Sequence, residues 1–260
     1  MEQIKLYLLN ALNKGRRLDG RNTLDYRDPV KVEYGVTKTA EGSAKVTIGD
    51  TVVIAGVKLE IGKPYPDTPN QGSIMVGAEL VPLASPEFEQ GPPSIDAVEL
   101  ARVVDRGIRE SKAIDFEALC IEKGEKAWVV IIDLVPLNDD GNLFDASALA
   151  AMAAVKNTRF PAVTEDGIDY KSKTDEGLKL NECPISVTVH KVGEYFIVDP
   201  TREEARICDA RLTIAIMESG ELCALQKGGE KPLSQGDVSR MIDIAIDKAS
   251  MLRGVLENGN

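Results

Sequence analysis

Ser43-Ala44-Lys45-Val46-Thr47-Ile48-Gly49-Asp50-Thr51-Val52-Val53-Ile54-Ala55-Gly56-Val57 reads as two strands joined by a two-residue turn. Residues 43–48 and 51–61 are strand-like, and Gly49-Asp50 supplies the hairpin turn between them. The pattern extends outward on both sides. Residues 30–36 and 74–81 are further strand candidates, and residues 63–72, rich in Pro, Asp and Asn, form a loop. Residues 127–137 are almost continuously apolar, which predicts a buried central strand. Strands resume at 185–191, 195–198, 205–217 and 221–226.

Four helices are expected among these strands. The first begins in the amphipathic Met1-Glu2-Gln3-Ile4-Lys5 stretch, runs over 2–12 and ends at Gly15. The second spans 96–112, with Asp96 as cap and Glu99 three residues on. Leu100, Val103, Val104 and Ile108 make its apolar face. The third covers 146–156 behind an Asp145 cap, and its alanines predict close packing against neighbouring backbone. The fourth starts at Ser234, with Asp237 completing a capping box, and buries Val238, Met241, Ala245, Ala249 and Leu252. Hairpins covered by helices predict an α+β fold. The expected organisation is an N-terminal part, 1–160, a polar linker, 161–184, and a C-terminal part, 185–260, in one compact unit.

The chain has 260 residues, enough for one large domain or two small ones. It has no run of eighteen apolar residues and no basic, then apolar, leader. Neither a membrane span nor a signal peptide is expected, and the expected location is the cytoplasm. The four cysteines are far apart with no Cys-x-x-Cys, so reduced structural thiols are expected and a zinc site is not. A Ser-His or Cys-His nucleophile would rest on His190 alone, in a strand-like run where a core histidine is the simpler reading. The net charge of −11 argues against free-standing nucleic-acid binding; any RNA contact must come from a local or shared basic patch. Gly228-Gly229-Glu230-Lys231 lacks phosphate-loop spacing and reads as a turn.

The distributed motifs are more informative. Arg17-Leu18-Asp19-Gly20-Arg21 precedes Gly42-Ser43-Ala44 and the Gly49 to Val57 hairpin strand. Asp140-Gly141-Asn142, Ala146-Ser147, the run from Asp199 to Asp209 and Leu225-Gln226-Lys227-Gly228 follow in order. In order and spacing this resembles the RNase PH family over nearly the whole chain. The resemblance implies an RNase PH-like fold, of the ribosomal protein S5 domain 2-like kind, with mixed sheets covered by helices. It also implies phosphorolytic chemistry, in which inorganic phosphate attacks the RNA 3′ end. That reaction needs a basic phosphate pocket and carboxylates for proton transfer or metal support.

The chain departs from the family at both points. Where the family reads approximately D-G-G-T-R-T-A-S, this sequence has Leu143 and Phe144 for the hydroxyl and guanidinium, followed by Asp145. Losing a charge-assisted bond costs about 1.5–3 kcal/mol, and a carboxylate at a helix start opposes an anion. Read as a helix cap, Asp145 would also leave no free donors there. Glu203 and Asp209 keep the family's carboxylate spacing, and ion pairing with Arg202, Arg206 or Arg211 is their plainer reading. These five positions are a degenerate family site, with no catalytic residue, metal or cofactor expected.

Arg102, Arg106 and Arg109 share one helical face, opposite the apolar one. By spacing alone they could be solvated ion pairs: Arg102–Asp105, Asp105–Arg109 and Arg106–Glu110. Leu100 to Arg106, however, resembles the segment by which the non-catalytic ring subunit of the archaeal exosome lends arginines to RNA. Arg102 and Arg106 match best, and the preceding Gly91-Pro92-Pro93-Ser94 agrees. The resemblance implies a hexameric ring alternating with a catalytic RNase PH-like subunit, RNA as ligand and RNA-binding cap proteins, without membrane contact. Two rivals remain: an active phosphorolytic 3′-to-5′ exoribonuclease using Glu203 and Asp209, and an RNA-binding module outside any ring.

Overall fold

The computed structural model describes residues 2–164 and 167–259. The opening hairpin forms as read. Strands β2 (Gly42–Ile48) and β3 (Thr51–Gly62) pair antiparallel, with Ile48 opposite Thr51 across the turn. Along β3 the side chains alternate buried and half-buried, the period of a sheet with one face on the core. β1 (Val30–Tyr34) extends the sheet beyond β2, and β6 (Lys126–Asn138) pairs antiparallel with the other edge of β3. β4 (Ser73–Ala78) closes the order β1-β2-β3-β6-β4, parallel to β6, while short β5 (Cys120–Glu122) also pairs with β6. The second sheet is antiparallel throughout, in the order β10-β9-β11-β12. Its strands are β9 (Ile185–Val192), β10 (Tyr195–Val198), β11 (Ala210–Ile216) and β12 (Leu222–Gly228).

Helix α3 (Leu143–Asn157) lies between the sheets, against β2, β3 and β6 of the first and β9 of the second. Its residues from Asp145 to Val155 are all buried, which its alanines permit by keeping the side chains short. Gly42 shows how close the layers come: a Cβ there would overlap Thr158 Oγ1 and the Ala154 carbonyl. Helix α2 (Ile95–Glu110) packs on β4, α3 and β12, with Leu100, Val103, Val104 and Ile108 buried as expected. Helix α5 (Gln235–Glu257) covers β9, β11 and β1, and its Ser234/Asp237 capping box forms. α1 (Glu2–Leu12) buries Leu8 and Leu12 against Val192, Ile197 and Ile207. One hydrophobic cluster runs from Val46 and Ile132 of the first sheet through α3 to Val187, Ile214 and Met241. Each fully buried aliphatic side chain in it contributes about 1.5–3 kcal/mol.

Four expectations need correction. α2 is capped by Ser94, whose Oγ accepts from Ala97 N at 3.2 Å, so Asp96 sits in the first turn. α3 starts at Leu143 behind Asn142, and Asp145 lies inside its first turn with its carboxylate turned into the core. The strand expected from 205 begins at Ala210, because a Thr201/Glu204 capping box nucleates the short helix α4 (Arg202–Ala205). The stretch expected as a linker holds a hairpin, β7 (Arg159–Thr164) with β8 (Gly167–Gly177). Glu165 and Asp166 of that stretch lie outside the described residues, as does Met1 of the expected first helix.

Gly42→Ala places a methyl group against backbone that cannot move without shifting α3. The expected loss is about 1–3 kcal/mol of stability, read as a lower urea midpoint at unchanged slope. An unchanged midpoint would show that the β2–α3 contact has slack.

Candidate functional site

The site is framed by a buried ionic network that joins three distant segments. Arg17 is buried. Its guanidinium meets the buried Glu204 carboxylate and donates to the carbonyls of Val198 (2.6 Å) and Asp199 (3.0 Å). Asp199, fully buried at the end of β10, accepts from Arg27 N (2.7 Å), Arg27 Nε (2.9 Å), Arg27 Nη2 (2.8 Å), Arg21 Nη1 (3.1 Å) and Asn142 Nδ2 (3.0 Å). Arg27 also holds the Asp140 and Gly141 carbonyls, and so the turn that starts α3. Burial works against the Arg27 charge, but Asp199 and Asp140 outweigh it and raise its pKa. Arg17 and Arg21 carried the family resemblance; their structural role, and Asp199, Arg27 and Glu204 as partners, were not read from the sequence. A buried arginine must be paired, so an Arg-x-Asp-Gly-Arg run with carboxylates downstream was the available signal.

Beside this network a cavity of about 390 Å³ opens between α2, the start of α3, α4 and the second sheet. Leu143 and Phe144 line it, so the stretch that departs from the family pattern faces a cleft. Two of its three arginines are paired with carboxylates and the third with a hydroxyl. Arg206 pairs with Glu87. Arg211 pairs with Glu99 at 2.7 Å and lies 4.5 Å over the Phe144 ring; Arg202 donates to Ser85 Oγ at 2.6 Å. Asp96 and Asp139 add two more carboxylates to the lining. His190 lines it too, but burial and the nearby Arg211 and Arg17 push its pKa down to about 3, so at neutral pH it is an uncharged core histidine. Burial, with Glu204, pushes the Cys208 thiol up to about 12; its Sγ donates to the Glu204 carbonyl. This cavity offers neither a thiolate nor an imidazolium at neutral pH.

The start of α3 differs from its sequence reading. Asn142 adopts a left-handed conformation (φ 59°) and makes no side-chain cap, so the helix end is not closed by a carboxylate. Asp145 instead accepts from Tyr26 Oη (2.7 Å) and Asn142 Nδ2 (3.1 Å) inside the protein. Burial pushes its pKa up to about 7 against those hydrogen bonds, so at neutral pH it is only part-ionised. The repulsion expected of Asp145 is therefore weaker than a full charge would give. The other charges of the cleft are the paired Arg206 and Arg211 and the carboxylates Asp96 and Asp139.

Glu203 and Asp209 do not converge on the cavity; neither lines it. Glu203 is exposed and makes no ion pair among the described residues. Asp209 is buried between Lys5 and Lys231 (2.7 Å) and accepts from Gly193 N at 2.8 Å. Burial opposes its ionisation, but the two lysines and the amide hold its pKa down to about 2. The ion pairing read from the sequence thus exists for Asp209 with different partners, the arginines being engaged elsewhere.

The α2 arginines separate into two kinds. Of the three ion pairs that spacing allowed, only Asp105–Arg109 forms, at 2.7 Å. Arg109 Nη2 also donates to the Ile74 carbonyl, so this side chain is fixed. Arg102 is exposed and has no hydrogen bond or ion pair among the described residues. Arg106 is exposed too, with a single 3.4 Å contact to Gln226 Oε1. Both border a groove of about 270 Å³ with the exposed Ile95 and Val98.

The 3′ exoribonuclease family models match residues 27–161 (domain 1) and 182–248 (domain 2). The exosome complex component Rrp42 of Methanopyrus kandleri is 50% identical over 95% of this chain and 92% of its own length. A chain of an Archaeoglobus fulgidus exosome with RNA bound to the active site is 48% identical, with a TM-score of 0.89 over 96% of both chains. A chain of an archaeal exosome core is 43% identical, with a TM-score of 0.86 over 98% of this chain and 96% of its own.

Asp145 gives a pH test of the site's base. Its folded pKa of about 7 lies above the ordinary 3.8, so between these values the native state holds the extra proton. Stability therefore falls as pH rises through that window. Asp145→Asn removes this dependence. Its stability relative to the parent should rise as pH increases from about 4 to about 8, in urea titrations at several pH values. A difference that stays flat across the window would mean Asp145 is ionised throughout.

Proposed function

The chain belongs to the 3′ exoribonuclease (RNase PH) family, and on that premise we propose that it is a non-catalytic subunit of an archaeal exosome ring. In this reading it alternates with a catalytic RNase PH-like subunit in a hexamer in the cytoplasm, beneath RNA-binding cap proteins. It supports 3′-to-5′ phosphorolytic degradation by helping the partner hold RNA.

One contrast supports the reading. Within the cavity lined by the stretch that stands for the family's phosphate loop, Arg206 and Arg211 are bound to carboxylates and Arg202 to a hydroxyl, whereas Arg102 and Arg106 on α2 are exposed and make no ion pair among the described residues. Phosphorolysis needs an anion to enter and attack in line. A cleft lined by Glu87, Asp96, Glu99 and Asp139 disfavours that entry, and breaking a guanidinium–carboxylate pair to admit phosphate adds a further cost. RNA held across a subunit boundary has a simpler requirement. Phosphate oxygens need guanidinium donors that reach from the neighbouring chain and take no part in proton transfer. The rival in which this chain is itself an active exoribonuclease requires Glu203 and Asp209 at a phosphate pocket, and neither lines the cavity.

Two outcomes follow. The pure chain, incubated with oligo(A), inorganic phosphate and magnesium, should release no nucleoside diphosphate. Release at a rate comparable with the reconstituted mixed complex would establish it as an active enzyme. Arg102→Ala and Arg106→Ala should leave the mixed ring assembled but weaken its RNA binding by about tenfold each at low salt. The salt slope should drop by about 0.7 for each lost phosphate contact to single-stranded RNA. An assembled double variant with unchanged affinity and slope would make these arginines surface charge only.

A further inference from the structure

Beyond the C-terminal end of α2 lies a second cavity, about 460 Å³, separate from the family site. It is within the size range of small-ligand pockets. Its lining combines two aromatic rings, Tyr65 and Phe116, two cations, Arg109 and Lys112, and two amides, Gln71 and Asn181. Tyr65 is 64% exposed and Phe116 half-buried, so the first ring offers an open face over a wall fixed by the second.

The walls are built. The loop carrying Tyr65 is closed by turns from Thr68 N to the Tyr65 carbonyl and from Gln71 N to the Thr68 carbonyl. Gly72 anchors its end: its N–H bonds to the Phe116 carbonyl, and a Cβ there would overlap the Trp128 carbonyl and Leu119. On the opposite wall, Lys112 sits in a left-handed conformation (φ 53°) just past α2, and Asn181 holds its carbonyl. The Lys112 ammonium has no partner among the described residues. Arg109 is pinned through Nε and Nη2, which leaves its Nη1 edge without a protein partner among them. Of the two lining carboxylates, Asp115 is paired with Lys179 at 2.6 Å, and Glu117 is exposed at the rim.

We propose that this cavity is a nucleotide subsite for single-stranded RNA, with a base stacked on Tyr65 and its phosphate between Arg109 Nη1 and Lys112. The proposal rests on the RNA-holding role given above and extends it along α2. Arg102, Arg106 and Arg109 share one face, and the first and last are about 10 Å apart along the helix axis. A strand crossing the free arginines is thereby led to this pocket. An open aromatic face beside uncommitted cations suits any base, because stacking is sequence-tolerant and the backbone charge is constant.

The test uses the reconstituted mixed ring and an oligouridine carrying 4-thiouridine. Photocrosslinks should map to residues 64–73 or 112–117. Tyr65→Leu should weaken binding about fivefold or more, Tyr65→Phe should leave it nearly unchanged, and Lys112→Ala should lower the salt slope by about 0.7. If Tyr65→Leu and Lys112→Ala bind as the parent while Arg102→Ala weakens binding, the pocket is overturned and the α2 reading stands. If no mixed ring forms, the same crosslinking on the chain alone decides: adducts in those segments support the subsite, and their absence overturns it.

Discussion

The Asp199 carboxylate is the constraint on which the site region depends. It is fully buried, and five N–H groups from Arg21, Arg27 and Asn142 converge on it. Removing one partner from a buried ion pair costs about 3–5 kcal/mol. Its donors come from the N-terminal loop and from the turn before α3, while Asp199 itself directly follows β10. One side chain therefore fixes the relative position of three segments far apart in sequence. Arg17 reinforces it from the other side by holding the Val198 and Asp199 carbonyls and Glu204, so that α4 is fixed as well. The cavity takes its shape from the elements these bonds hold.

The same economy explains why the cavity carries little free positive charge. Two of its arginines meet carboxylates of the same lining: Arg206 takes Glu87, and Arg211 takes Glu99 while lying over Phe144. Phe144 stands where the family carries a guanidinium, and its ring now supports a different one. Asn142 opens the helix end in a left-handed turn without closing it by a side chain. The donors at this helix N-terminus therefore sit among fixed charges, which bear on any anion as much as the helix end itself does.

Much of the fold was legible because its determinants are local. The Gly49-Asp50 turn, the apolar run of β6 and the Ser234/Asp237 box each lie within a few residues, and each formed. The α2 face was legible for the same reason. The site was less legible because its partners are distant. Asp209 pairs with Lys5, 204 residues away, and spacing rules see only near neighbours. Asp145 looked like a cap because an Asp precedes an apolar run, yet Tyr26, 119 residues away, draws it into the core. On α2, spacing allowed three ion pairs; Arg109 engages both oxygens of Asp105, and Arg102 is left without that partner.

That last competition bears on how a chain of net charge −11 can present a basic surface. At physiological ionic strength, exposed charges more than about 8 Å apart are largely screened. A bound phosphate therefore responds to its immediate surroundings rather than to the total. Near Arg102 the nearest acids on the helix are Glu99 and Asp105, three residues to either side. Glu99 is paired with Arg211 from β11, and Asp105 with Arg109. Asp96 lies in the first turn, where the helix dipole already favours a carboxylate, and Glu110, one turn beyond Arg106, makes no ion pair with it among the described residues. Two arginines thus serve as counter-ions so that two others remain free. The two acids nearest Arg102 are thereby neutralised in place, which lets a chain of net negative charge present guanidinium groups on α2.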